Sequence, residues 1–235
     1  MPLVFSLGMT GDDPTVFGDY DGDGVTDPSV SRFPAVAGLG EVINLLSTDG
    51  GDAESGFMTV VGTPTTALPD GAYDHTYDGI ADIAFQTEST TTPGDGHITV
   101  FDGLTGTLAY ELDFGAVSDW IFALNPSRPL ERRAGFATVV SDAGAGELEW
   151  RSFLNPEDMS SSFPVFHGET TDTLLVGDWN GDGLDDYGVW RPDAANPANT
   201  KFSIELEVPG TNFVEDFFYG QPGDSPVAIV QEVRR

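Results

Sequence analysis

The chain predicts an all-β fold, a β-propeller built from four-stranded antiparallel blades. Three observations predict it. The sequence repeats itself at about 53 residues. Each repeat carries short runs of β-branched and aromatic residues separated by Gly/Pro/Asp turns. No stretch has the 3.6-residue periodicity of an amphipathic helix. About four strands per repeat of about 50 residues, without helices, is the pattern of a propeller blade.

The repeat is visible at both ends. Phe5-Ser-Leu-Gly8-Met-Thr-Gly11-Asp12-Asp-Pro14 returns as Phe217-Phe-Tyr-Gly220-Gln-Pro-Gly223-Asp224-Ser-Pro226, an offset of 212 residues, or four times 53. Gly8, Gly62, Gly115, Gly168 and Gly220 fall 54, 53, 53 and 52 residues apart. Leu7, Val61, Phe114 and Tyr219 directly precede four of them, and Phe166-His167 precedes the fifth. The start of the chain therefore reads as repeat material, and it lacks the basic region of a secretory leader. The predicted organisation is one propeller domain over 1–235, with repeats at 8–61, 62–114, 115–167 and 168–219 and a partial fifth at 220–235. Four full repeats with a partial fifth imply an incomplete ring, or a fragment of a longer one.

Strands are expected in the same order in each repeat. Thr15–Phe17 and Leu174–Val176 come first in the first and fourth. Ser29–Arg32, Ile83–Phe85, Phe136–Val139 and Gly188–Arg191 come second. Glu41–Leu45, His97–Phe101, Glu147–Trp150 and Lys201–Leu206 come third, with the alternation of a half-buried strand. A fourth strand leads into the next apolar-Gly pair.

Between the first two strands lies the most specific motif. Asp19-Tyr-Asp21-Gly-Asp23-Gly24-Val-Thr-Asp27 and Asp178-Trp-Asn180-Gly-Asp182-Gly183-Leu-Asp-Asp186 share D-x-[DN]-x-D-G-x-x-D. Oxygens at positions 1, 3, 5 and 9, with the carbonyls of Val25 and Leu184 at position 7, can wrap one hard cation. Ca²⁺ takes six to eight oxygen ligands and tolerates such irregular cages, whereas Mg²⁺ demands a rigid octahedron. Carboxylates this close repel one another unless a cation sits among them. A weaker third site is Asp74, Thr76, Asp78, Ile80 and Asp82, where neutral Thr76 lowers the ligand charge. In the third repeat Asn125–Arg133 has lost its aspartates and gained Arg128, Arg132 and Arg133, a drifted surface loop or one in which guanidinium charge replaces the ion. The loops are not EF-hands, because Val30 and Val189 stand where an EF-hand needs Glu and the flanks are strands.

The repeated Asp-rich loop with its apolar-Gly element resembles the FG-GAP, or VCBS-type, repeat of integrin-α-like propellers. The resemblance covers nearly the whole chain. It implies that the Ca²⁺ loop joins the first two strands of each blade, and that the blades serve adhesion, ligand binding or carbohydrate recognition.

Composition limits the partners. The 235 residues carry 39 acids against 9 bases, a net charge of −30, which repels nucleic acid and anionic membrane surfaces. Salt or calcium in the medium would screen that charge, which fits a marine or halophilic source. There is no cysteine, so neither disulfides nor thiolate chemistry can serve the fold. No apolar run reaches the length of a membrane helix.

Catalytic signatures are missing from the sequence: no G-x-S-x-G elbow, P-loop or zinc motif occurs. His75, His97 and His167 are scattered and read as structural. Tyr20, His75 and Trp179 share loop position 2, where an aromatic would pack between blades or stack on a sugar ring. Arg32 and Arg191 stand at equivalent positions and are expected to pair with the acids of a neighbouring calcium loop, or to be ordinary surface arginines. The function expected is a calcium-stapled, non-enzymatic, extracellular or surface-displayed propeller that binds a protein or carbohydrate ligand. The alternative is a propeller belonging to a polysaccharide-active enzyme.

Overall fold

A computed structural model describes residues 7–12, 17–32, 39–44, 56–61, 66–67, 73–76, 78–124, 135–141, 146–153, 164–182, 184–206, 213–224 and 226. Within these, the protein is all-β. Fifteen strands form four antiparallel sheets, and no helix occurs among the described residues. None is long and apolar enough to cross a membrane.

Each sheet is a meander of consecutive strands. The first is β1 (Ser29–Arg32), β2 (Leu39–Asn44) and β3 (Gly56–Val61). An isolated bridge between Gly18 and Asp27 precedes it, while Thr15 and Val16 of the expected first strand Thr15–Phe17 lie outside the described residues. The second is β4 (Thr66–Ala67), β5 (Ile83–Glu88), β6 (Asp95–Phe101) and β7 (Leu108–Ala116). The third is β8 (Trp120–Leu124), β9 (Gly135–Ser141), β10 (Glu147–Phe153) and β11 (Val165–Glu169). The fourth is β12 (Thr173–Gly177), β13 (Asp186–Pro192), β14 (Thr200–Leu206) and β15 (Phe213–Phe218). The third and fourth sheets thus start a few residues after Gly115 and Gly168.

The chain divides between Asp119 and Trp120 into two compact units. In the first, β6 alternates between half-buried and buried residues along its length, with Ile98 and Val100 fully buried. Phe85 and Phe101 meet edge to face, ring centroids 6.5 Å apart. In the second unit the third and fourth sheets share one core of Phe122, Leu124, Val139, Leu148, Trp150, Val176, Tyr187 and Val189. Trp150 lies 5.1 Å from the ring of Tyr187 and donates its indole N–H to the His167 carbonyl at 2.8 Å. Buried His167 in turn donates from Nε2 to the Ser203 carbonyl at 2.8 Å, tying β11 to β14. Tyr187 and Ser152 hydroxyls hydrogen-bond across the same core. An indole or phenol buried this deeply needs such partners, because an unmade hydrogen bond there would cost about 1–3 kcal/mol.

The turns that open the repeats are built alike. Gly8, Gly115, Gly168 and Gly220 have φ of 76, 67, 94 and 92°, a region open chiefly to glycine. A Cβ on Gly168 would also lie 2.6 Å from Val189 Cγ1. Four residues on, an aspartate closes the turn. Asp12, Asp119, Asp172 and Asp224 accept from the backbone N–H of Met9, Ala116, Glu169 and Gln221 at 2.7, 2.8, 2.7 and 2.9 Å.

The arginines at the end of the second strand clamp these turn aspartates. Arg32 forks onto Asp12, Nε to Oδ1 and Nη2 to Oδ2, both at 2.8 Å. Arg191 reaches Asp172 Oδ2 at 2.8 Å and also bonds Glu169. The reason is reach: the strand carrying each arginine returns beside the turn that opens its own repeat. In the third repeat, Val140 occupies the position of the arginine, next to Val139, which pairs with Trp120.

The Arg32 guanidinium holds the Asp12 carboxyl below its usual value. A lowered folded value means that this stabilisation is present above about pH 4 and fades as pH falls through the folded value. A double-mutant cycle of Arg32→Leu and Asp12→Asn is expected to give a coupling of about 1–2 kcal/mol at pH 7 in urea unfolding. Additive single effects would mean that the fork carries no stability.

Candidate metal-binding loops

The three described loops fold in one hydrogen-bond register, set by aspartate side chains that accept from the backbone of their own turn. In the first, Asp19 Oδ1 accepts from Gly22 and Asp23 N–H at 2.7 and 3.1 Å, and Oδ2 from Gly24 at 3.0 Å. In the fourth repeat, Asp178 Oδ1 accepts from Gly181 and Asp182 at 2.6 and 3.1 Å. In the second, Asp74 Oδ2 accepts from Gly79 at 2.9 Å.

Position 5 also turns inward in each loop. Asp23, Asp78 and Asp182 accept from the N–H two residues ahead, on Val25, Ile80 and Leu184, at 2.7, 2.8 and 3.0 Å. Val25 is exposed, while Ile80 and Leu184 are buried. Position 9 closes the loop. Asp27, Asp82 and Asp186 accept from the N–H of position 2, on Tyr20, His75 and Trp179, at 2.8, 2.7 and 2.9 Å. All three position-9 carboxylates are buried.

Burial and crowding make these loops anion-rich. Among the described residues, Asp19, Asp21 and Asp27 form the one group of three ligand-type side chains whose oxygens lie within 4.8 Å of one another. Asp23 stands beside that group. In the fourth repeat Asn180 Oδ1 accepts from Asp182 at 2.8 Å, and Nδ2 donates to Asp186 Oδ1 at 3.4 Å. In the second loop Thr76 Oγ1 is buried without a hydrogen-bond partner. That orphaned oxygen stands at ligand position 3.

These donors suit a hard cation. The sets consist of carboxylate, amide and hydroxyl oxygens, with no nitrogen or sulfur ligand. The sequence-predicted ligands Asp19, Asp21, Asp27, Asp74, Thr76, Asp78, Asp82, Asp178, Asn180, Asp182 and Asp186 all lie in these turns. The aspartate-free loop of the third repeat, with Arg128, Arg132 and Arg133, lies outside the described residues.

The aromatics at position 2 have structural work. Tyr20 and His75 are buried. Burial raises the Tyr20 phenol, and the charges of Asp27 and Asp82 raise it further. Tyr110 Oη lies 3.3 Å from His75 Nδ1. Trp179 lies over the backbone of the strands: a Cβ on Gly188 would lie 3.0 Å from its ring. The first two loops also touch, the Ala81 N–H donating to the Asp19 carbonyl at 2.7 Å.

Spacing within a loop could not reveal two further participants. The Gly103 N–H donates to Asp82 Oδ1 at 2.8 Å, from 21 residues away. Only glycine fits there, since a Cβ would lie 1.8 Å from the Ala81 carbonyl oxygen. Asp185, at position 8 of the fourth-repeat loop, is buried as well. The repeated Gly-x-x-x-Asp spacing of the opening turns was a third signal, readable in the sequence. Comparison with known proteins finds no family model that matches the chain and no curated protein that matches it.

Burial pushes the Asp82 carboxyl up to about 7, and Asp74 adds repulsion, against the N–H groups of Gly103, Thr76 and His75. A folded value above the unfolded one means that the folded chain keeps a proton the unfolded chain has released. In calcium-free buffer the fold should therefore weaken as pH rises from about 4 to about 7. Asp82→Asn should lose that part of the slope. Parallel urea midpoints for the two proteins across this window would contradict the assignment.

Proposed function

We propose that the protein is a calcium-stapled β-propeller whose sheets act as blades and whose surface binds a protein or carbohydrate partner outside the cell. The observation that carries the calcium reading is the convergence of Asp19 and Asp21 on the buried Asp27. Removing a carboxylate from water beside two others is costly unless a cation compensates it. The orphaned Thr76 oxygen supports a weaker site in the second loop.

The blade reading rests on four successive antiparallel meanders, each with its acidic loop or that loop's counterpart ahead of the second strand. It accords with the FG-GAP-like motif. Calcium bound only by the native state would stabilise it by about 2.7 kcal/mol per site at a hundredfold excess over Kd. Extracellular calcium modules commonly have Kd of about 10⁻⁴–10⁻³ M, a range that an acidic, cysteine-free chain in calcium-rich surroundings would use. Exposed Trp120 and Phe166 offer flat apolar surface of the kind that protein or sugar partners cover.

Thermal unfolding in excess EDTA and in millimolar calcium tests the staple. The melting temperature should fall on chelation, and Asp27→Asn with Asp186→Asn should remove most of the difference. Identical transitions in the two buffers would overturn the calcium reading. A glycan array and a pull-down, each run with and without chelator, test the partner. Asn180→Asp adds one ligand charge and should tighten calcium at that loop by about 1 kcal/mol, about fivefold by calorimetry. Unchanged or weaker binding would place Asn180 outside the coordination sphere.

A further inference from the structure

His97 is the third histidine of the chain, and its surroundings differ from those of the other two. It lies on β6, opposite Asp113 of β7, while Thr99 pairs with Glu111. Residues paired in antiparallel register share a face, as do residues two apart on one strand. His97, Glu111 and Asp113 therefore rise together from one face of the second sheet, opposite to buried Ile98 and Val100. All three side chains are partly exposed to solvent.

The arrangement is layered. Ser89 Oγ and Thr91 Oγ1, from the turn after β5, lie 3.2 and 3.3 Å from Asp113 Oδ2 and donate to it. Asp113 Oδ1 lies 2.6 Å from His97 Nδ1. A carboxylate oxygen at that distance accepts, so the ring nitrogen donates to it. An acceptor at Nδ1 fixes the neutral ring as the Nδ1–H tautomer and leaves the Nε2 lone pair free. Nε2 lies 3.6 Å from Glu111 Oε1.

We propose that His97 Nε2 and Glu111 form an open two-ligand site for a borderline transition-metal dication of the zinc class, with Asp113 as the residue that orients the imidazole. The separation fits. Two donors bound tetrahedrally to zinc at about 2.0–2.2 Å stand about 3.4 Å apart. A carboxylate on the far nitrogen is the usual support of a zinc-bound histidine and raises its basicity. The imidazole also separates this site from the acidic loops, whose oxygen donors favour calcium. Water, or a donor from a bound partner, would fill the remaining positions.

The test titrates zinc chloride into the full chain with the loops saturated by millimolar calcium. Calorimetry gives the affinity, and long-range proton–nitrogen NMR follows the three imidazoles. In wild type, zinc should shift His97 Nε2 and leave His75 and His167 in place. His97→Ala should abolish this binding, Glu111→Gln should weaken it at least tenfold, and Asp113→Asn should weaken it by about 10- to 100-fold. Because all three positions lie on an exposed sheet face, melting temperatures in calcium should stay close to wild type. Zinc binding that survives His97→Ala, an unshifted His97 imidazole, or an Asp113→Asn protein with wild-type affinity would overturn the proposal.

Discussion

Aspartate side chains that take backbone N–H groups from their own turns underlie most of this structure. A tight turn leaves N–H donors without strand partners, and a buried donor left unmade is costly. Asp19, Asp74 and Asp178 gather such donors in the acidic loops. Asp12, Asp119, Asp172 and Asp224 do the same in the turns that open the repeats. One device thus serves the opening turns of the first, third, fourth and partial fifth repeats and the acidic loops of the first, second and fourth.

The device has an electrostatic cost that the two turns meet differently. The opening turns place one carboxylate at the end of a strand, where Arg32 or Arg191 can reach it. The acidic loops bring three or four acidic side chains into one turn, the position-9 carboxylate of each buried, and these are the positions proposed to hold calcium.

Much of this was legible in the sequence. Loop positions 1, 3, 5 and 9 are set by local turn geometry, so a nine-residue pattern determines them. The third strand of the second repeat, β6, alternates as read, and β1 spans Ser29–Arg32 as expected. What was not legible depends on residues far apart in the chain. Arg32 and Asp12 are 20 residues apart, Gly103 and Asp82 21, and His97 and Asp113 16. Each pair is brought together by strand register, which composition and spacing do not specify. The aromatics at loop position 2 show the same limit: a tyrosine, a histidine and a tryptophan share a position, and only the packing tells why each suits it.

Every sheet is made from one uninterrupted run of chain, each strand pairing with its immediate neighbour in sequence. Ring closure during folding therefore spans tens of residues at most within a sheet, so the entropy of bringing partners together stays small. Such a chain has no obligatory starting point. In the second unit either meander can nucleate, and the other can then condense upon it through their common core.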